Sequence, residues 1–411
     1  MIPLQKPYFA INCPKNVSAI VIREHEVFAH RQNTSRSMFS LTPRRYSPTS
    51  LFKGFSCLCR GGPVCPPVSM ISFDFGKTTE KMTFLQSNHD ILEYEHKILM
   101  VGDLVKKLSA SAFQKSVQTI KQYGRDLERE LIRLYFFGGH SSGVIKALEA
   151  YQNEGGGFGG AIELDFTLPL SSPMATSVGL RMISYHCKDN LPVDMIKKAV
   201  AYLKSTFNEK GRRWYAVPRT VNDYPHAPWW HFRDEINMTY IDYSWGNPTA
   251  EIVGYLLEYR DLVDGLDVDA LNLLALEKLE AKMEFQSEHE IYCYIPLYER
   301  QTDIKLKKRY EAKIKEAVEQ LLCTDPDRWF SEYLPKPLDF IKTKDSNYFG
   351  ISEQLLNQNL DMVIESLEEK GEITPTWEWG QYEGFWKEAK KKWTADLTAK
   401  ALLQLKSFER I

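Results

Sequence analysis

The chain has 411 residues, a formal net charge of -2 and 43% hydrophobic residues, enough for one large domain or two ordinary ones. A near-neutral balance excludes a dedicated nucleic-acid binder, which would carry a basic stripe. No run of roughly 18 apolar residues is present, so no transmembrane helix is predicted.

Residues 1–65 hold nine Lys/Arg and two Glu, with many Ser, Thr and Pro and no sustained hydrophobic period. A transit peptide, a disordered basic arm and a spurious extension with the biological start at Met70, Met82 or Met100 all fit. The expectation for 1–100 is a poorly ordered or spurious extension. Four of seven cysteines (Cys13, Cys57, Cys59, Cys65) lie there, and "CLCRGGPVC" lacks the second ligand pair of a metal knuckle. Cys187, Cys293 and Cys323 read as buried thiols in a reducing, cytoplasmic compartment.

From about residue 105 the pattern turns helical. "LSASAFQKSVQTIKQYGRDLERELIRLYFF" repeats apolar residues at steps of three and four, with Leu127, Leu131, Leu134 and Tyr135 on one face. "GVIKALEAYQ" continues the pattern up to "NEGGGFGG". "SPMATSVGLRMISYH" opens on Ser172 as N-cap with Pro173 at the first helical position, and "NPTAEIVGYLLEYRDLV" opens on Asn247 and Pro248 in the same way. "PVDMIKKAVAYLKSTF" is another helix, and further helices fit 267–285, 305–323, 351–369 and 385–407. "RRWYAV" and "EITPTWEW" are the sparse strand signals. The prediction is an all-α domain over 105–411, of about nine to twelve helices.

Its connections recur. "YQNEGGGFGG", "NEKGRRWYAV", "TDPDRWFSEY" and "EEKGEITPTWEWG" each follow a helix with a Gly- or Trp-bearing turn, which suggests a degenerate helical-hairpin repeat. "YQNEGGGFGG" resembles the glutamine–glycine–aromatic repeat of the squalene–hopene cyclase and protein prenyltransferase superfamily. The helix starts "SSPMATSVGL" and "NPTAEIVGYL", and "FWKEAKKKWTADLTAKALLQL" near the C-terminus, look similar to that superfamily too. The resemblance spans about 110–411 and points to a divergent bacterial group. It implies an α/α toroid, rings of helices around a central cavity, acting on or holding an apolar isoprenoid-like ligand.

The chain also departs from that superfamily. Class II cyclases of the superfamily protonate an alkene with an Asp-x-Asp-Asp motif. The similar position here reads "SWGNPTA", with Gly246, Asn247 and Pro248 where the acids would stand. Neither an amide nor a proline can supply that proton. Asp264, Asp267 and Asp269 read as helix-start acids. No Asp-x-Cys pair with a downstream histidine suggests a prenyltransferase zinc site, and no cofactor or metal is expected.

Three clusters are candidates for chemistry. Glu163 and Asp165 are spaced i, i+2, so an extended segment points both to one side, where they can divide acid and base roles. Their alternative role is to cap helices. "NDYPHAPWWHF" carries Asp223, His226 and His231, with Trp229 and Trp230 between them. Its prolines remove the helical ligand spacing of zinc sites, leaving an aromatic loop that lines a cavity, with Asp223 or His226 as proton carrier, or a loop that only packs. Trp377 and Trp379 alternate and face one way, so they and Phe158 join the candidate ligand wall. Lys336, Lys342 and Lys344 read either as a solvated rim or as a grip on an acidic ligand. A carbohydrate-active toroid is the alternative function, pairing Glu163 or Asp165 with Asp223 across about 5–10 Å. A non-catalytic scaffold is the third. The expected partner is a small apolar or sugar ligand, not nucleic acid; the oligomeric state is left open.

Overall fold

The computed structural model describes residues 105–411, together with the backbone of five short strands nearer the N-terminus. The expected poorly ordered extension over 1–100 therefore falls mostly outside the described residues. Two units are distinguished, Met1–Asp103 and Leu104–Ile411. In the first, β1 (Phe9–Ile11), β2 (Ala19–Arg23) and β3 (Glu26–His30) pair antiparallel in that order, and β4 (Phe73–Gly76) pairs with β5 (Thr79–Met82).

The second unit is helical throughout. In chain order its helices are α1 (Ala110–Tyr123), α2 (Asp126–Phe136), α3 (Ser141–Glu149), α4 (Pro173–His186), α5 (Val193–Ser205) and α6 (Gly246–Glu258). Then follow α7 (Val268–Glu280), α8 (Glu288–Glu299), α9 (Ile304–Leu321), α10 (Pro337–Phe340), α11 (Glu353–Lys370) and α12 (Glu383–Ser407). Among the described residues of this unit there is no strand, and "RRWYAV" supplies only an isolated bridge between Asn208 and Arg213. No helix among the described residues is long and apolar enough to cross a membrane.

Local chemistry explains most of the boundaries. Ser109, Ser172, Asp267, Asp303 and Ser352 each cap a helix by accepting a backbone N–H with the side chain. Asp267 thus has the helix-start role expected of it. Two expectations are corrected. The continuous helical pattern of 108–137 breaks at Gly124, whose backbone is extended, and Glu128 turns back to accept from the Arg125 N–H at 2.7 Å. Asn247 has the extended backbone of an N-cap ahead of Pro248 (φ −103°, ψ 112°), but its buried Oδ1 has no partner, so it makes no capping bond.

The helices differ in how they are buried. Every residue of α6 from Gly246 to Leu256 is buried, as are eight consecutive residues of α4, Pro173 to Leu180. By contrast, α5 buries only the stripe Met195, Ile196, Ala199, Val200 and Leu203, and α9 only Tyr310, Ile314, Ala317 and Val318. From α4 to α9, heavily buried helices (α4, α6, α8) thus alternate with amphipathic ones (α5, α7, α9). Close approach needs small residues: a Cβ on Gly254 of α6 would lie 3.0 Å from the Leu297 backbone of α8.

Packing neighbours form a closed circuit. α1 packs on α2, α11 and α12; α12 on α2; α2 on α3; α3 on α4; α4 on α5 and α6; α6 on α7 and α8; α8 on α9 and α10; α10 on α11. Buried polar pins tie the inner members together. The Arg181 guanidinium of α4 donates twice to Glu251 of α6 at 2.6 Å, and Ser177 and Tyr255 donate to the same carboxylate. Charge-assisted, geometrically matched bonds of this kind fix register between helices.

Candidate functional site

The segment after the glycine turn is held from three directions. Arg125, at the start of α2, donates to the carbonyls of Ala161 and Ile162 at 3.1 and 2.9 Å. The next residues run beside the 222–232 loop: Ala227 N–H donates to the Asp165 carbonyl and Thr167 N–H to the Pro225 carbonyl, both at 2.8 Å. Phe166 pairs with His226 in an isolated bridge. The acid segment and the histidine loop, far apart in sequence, are therefore neighbours.

Asp165 is buried, and its Oδ1 accepts the indole N–H of Trp379 at 2.9 Å and of Trp393 at 2.7 Å. A third indole, Trp377, faces the same carboxylate but stands outside hydrogen-bond geometry, leaving its buried Nε1 without a partner. Burial raises the Asp165 carboxyl above its ordinary value, and the indole N–H groups oppose that rise. Glu163, half-buried, accepts the Asp165 backbone N–H at 3.2 Å. Burial, and then the neighbouring Asp165 charge, push its carboxyl up to about 7. The two carboxyl groups thus differ in role: Asp165 is pinned by tryptophans, and Glu163 is poised to exchange a proton near neutral pH.

Arg181 and Lys400 act on Glu163 electrostatically, and each keeps accessible side-chain surface, 37% and 56%. Lys342 is accessible as well, although burial pushes its ammonium down to about 8. The charges of Lys400, Arg181, Asp339 and Glu299 all act on it. His289 and Tyr333 show the same pairing of accessible surface with titration governed by burial: His289 is lowered, Tyr333 raised. Lys342, His289 and Tyr333 therefore keep accessible surface while the protein around them shifts their titration. Tyr333 places its hydroxyl 2.7 Å from His289 Nε2 and feels the charges of Asp165 and Glu163. Its ring meets Trp377 edge-on at 5.4 Å, and Trp377 meets Trp393 edge-on at 5.1 Å. A chain of rings therefore runs from Tyr333 to the indole that holds Asp165. A surface depression of about 500 Å³ between Lys106, Lys107 and α11 contains none of these groups.

The other candidates are placed as follows. His226 is buried with both ring nitrogens engaged: Nδ1 lies 2.5 Å from the Tyr224 carbonyl and Nε2 3.0 Å from His231 Nδ1. Donation from Nδ1–H to the carbonyl assigns Nε2 as the acceptor. Burial holds its pKa below the ordinary histidine value, the Tyr224 carbonyl works the other way, and His231 adds to the lowering. The rings stack at 5.3 Å, His231 being exposed. Their nitrogens bond each other instead of converging on a third point. Asp223 ends a 3-10 turn with an exposed side chain. Trp230 is buried edge-on to Phe166 at 5.5 Å, and Trp229 packs half-buried against the core. Phe158 is fully buried against Gly179, where a Cβ would stand 2.7 Å from the ring; it is a packing ring and not a ligand wall. Trp377 is half-buried, whereas Trp379 is 1% exposed and donates its N–H to Asp165. Among the described residues no set of three or more His, Cys, Asp and Glu side chains is placed to hold a metal ion.

Sequence reasoning missed Arg181, His289, Tyr333, Trp393 and Lys400. All but Tyr333 project from helices, where a polar residue between apolar ones reads as the solvent face. Tyr333 stood in the quoted "TDPDRWFSEY" turn, where Trp329 drew the attention; Trp329 is fully buried. Comparison of the chain with protein-family models, curated proteins and solved structures finds no match.

Proposed function

We propose that residues 105–411 form an α/α toroid whose central chamber is the seat of an acid/base enzyme acting on a sugar-like ligand. The toroid is supported by the closed circuit of helix neighbours and by the alternation of buried helices with covering ones. The observation that carries the activity is Glu163, its carboxyl raised to about 7 beside an Asp165 fixed by two indoles.

In this reading Glu163 donates a proton to a leaving oxygen, or takes one from an attacking water. Asp165 is a positioning residue that keeps Glu163 protonatable. Tyr333, bonded to His289, is the second proton carrier of the site. Trp377 and Trp393 offer ring faces and edges for the apolar side of a sugar. The isoprenoid ligand implied by the resemblance fits less well. A carboxyl of about 7 is too weak an acid for an alkene, and a wall bearing Arg181, Lys342 and Lys400 is poorly matched to a hydrocarbon.

The test is a screen of oligosaccharides for release of reducing ends, with native mass spectrometry of the protein purified from its host. Glycosidic cleavage lost in Glu163→Gln and strongly reduced in Tyr333→Phe is the expected result. A co-purifying isoprenoid lipid, with no sugar turned over, would overturn the reading.

A further inference from the structure

Each carboxyl group of the acid segment has one oxygen held and one oxygen open. Asp165 is 7% exposed, and its Oδ1 takes both indole bonds, from Trp379 and Trp393. Among the described residues Oδ2 accepts no hydrogen bond. Nor is Oδ2 shut off from solvent without a partner, as Asn247 Oδ1 is, so the surface that Asp165 keeps includes Oδ2. Glu163 repeats the pattern: Oε1 accepts the Asp165 N–H at 3.2 Å, and Oε2 is neither bonded nor closed off. Buried carboxylates elsewhere in the chain engage both oxygens. At Asp242, Oδ2 accepts the Thr239 N–H and hydroxyl at 2.9 and 2.7 Å, and Oδ1 accepts the Ala216 N–H at 2.8 Å. Glu251 holds Arg181 through both of its oxygens. Asp165 is instead pinned on one side and free on the other, which fixes a lone-pair-bearing oxygen in place for a reactant.

We propose that Asp165 is the nucleophile of the site, forming a covalent glycosyl ester on Oδ2, so that the sugar is released with its anomeric configuration retained. This rests on the carbohydrate reading of Glu163 and adds the second half of the mechanism. In the first step an Oδ2 lone pair forms a bond to the anomeric carbon and the bond from that carbon to the leaving oxygen breaks. The leaving oxygen takes the proton of the Glu163 carboxyl. In the second step water attacks the same carbon and gives a proton to the Glu163 carboxylate, and the ester bond breaks to return Asp165. The two indole N–H groups stabilise the Asp165 carboxylate before attack and as it departs. The bond from the Asp165 N–H to Glu163 keeps the two acids close. That suits the spacing of about 5–5.5 Å in retaining glycosidases better than the wider gap that seats a water in inverting ones.

The experiment treats the full chain with dinitrophenyl 2-deoxy-2-fluoro glycosides of glucose, galactose and xylose, followed by intact mass measurement and peptide mapping. Proton NMR of the first product from the matching non-fluorinated glycosides gives the stereochemistry. The expected result is one sugar per chain, mapped to Asp165, with configuration retained. Asp165→Asn, whose amide oxygen can still accept the indole bonds, forms no adduct. Glu163→Gln still forms it, because dinitrophenolate leaves without a proton. The same variant cleaves glycosides of simple alcohols roughly 10²–10⁴-fold more slowly than wild type. The wild-type arms stand even if Asp165→Asn fails to fold. An inverted product, or an adduct outside the 163–165 segment, overturns the nucleophile and leaves a sugar-cleaving enzyme standing. An adduct on Glu163 exchanges the two roles and overturns the proposal as well. Absence of turnover and of adduct with every sugar overturns it together with the carbohydrate reading.

Discussion

Two neighbouring segments contrast most in this molecule: the 222–232 loop, dense in histidine and tryptophan, and the plainer 161–168 segment beside it. They run alongside each other through Ala227–Asp165 and Thr167–Pro225 bonds. In the loop, His226 satisfies both ring nitrogens with its own neighbours, and Trp230 packs edge-on to Phe166 with its buried Nε1 unpartnered. In the acid segment, Glu163 has a raised pKa, accessible surface and cations within electrostatic reach. A group whose polar atoms are all satisfied internally stabilises; a group that keeps unspent capacity and accessible surface can act on a ligand. Residue type alone does not separate the two.

The contrast can be broken or sharpened by substitution. The largest effect is expected at Trp379, which is fully buried and donates to Asp165. Trp379→Ala removes the ring and one bond to the carboxylate, and should cost about 3–5 kcal/mol in denaturant unfolding. Next comes His226→Ala, costing about 2–3 kcal/mol through a lost ring and two lost hydrogen bonds. Glycosidic activity at a temperature where the variant is folded should be unchanged. If His226→Ala abolished activity while remaining folded, the loop and not the acid segment would hold the chemistry.

A smaller effect is expected at Glu163, and its size depends on pH. The folded carboxyl at about 7 binds protons that the unfolded one, with an ordinary value of 4.5, has released. Stability conferred by the protonated form is full below about 4.5 and is lost as pH rises through about 7. Glu163→Gln should therefore match wild type at pH 4 and exceed it by about 1–2 kcal/mol at pH 8. Equal urea midpoints for the two proteins across that range would contradict the assignment. The smallest effect is expected at Asp223, whose exposed carboxylate can become Asn with no measurable change in melting or activity.

How much of this was legible in the sequence follows from what each signal measures. Periodicity and capping residues located most helices, because Ser172-Pro173, Asp267 and Ser352 act within a few residues of themselves. They failed at α8, where "IYCYIPLY" is buried nearly all round and shows no amphipathic stripe. At Gly124 a local break divided one helical pattern into two helices. For the site, the i, i+2 spacing of Glu163 and Asp165 was legible because it is local. The indole of Trp393, 228 positions away from Asp165, and the Tyr333–His289 bond, 44 positions apart, depend on the tertiary circuit of helices. No periodicity reports that circuit.

The most direct measurement of the central claim is a carbon-13 NMR titration of the glutamate side-chain carboxyls, in wild type and Glu163→Gln. The account predicts one carboxyl resonance that titrates near pH 7 in wild type and is missing from the variant. A wild-type spectrum in which every glutamate titrates close to its ordinary value of about 4.3, unchanged in that respect by the substitution, would contradict it.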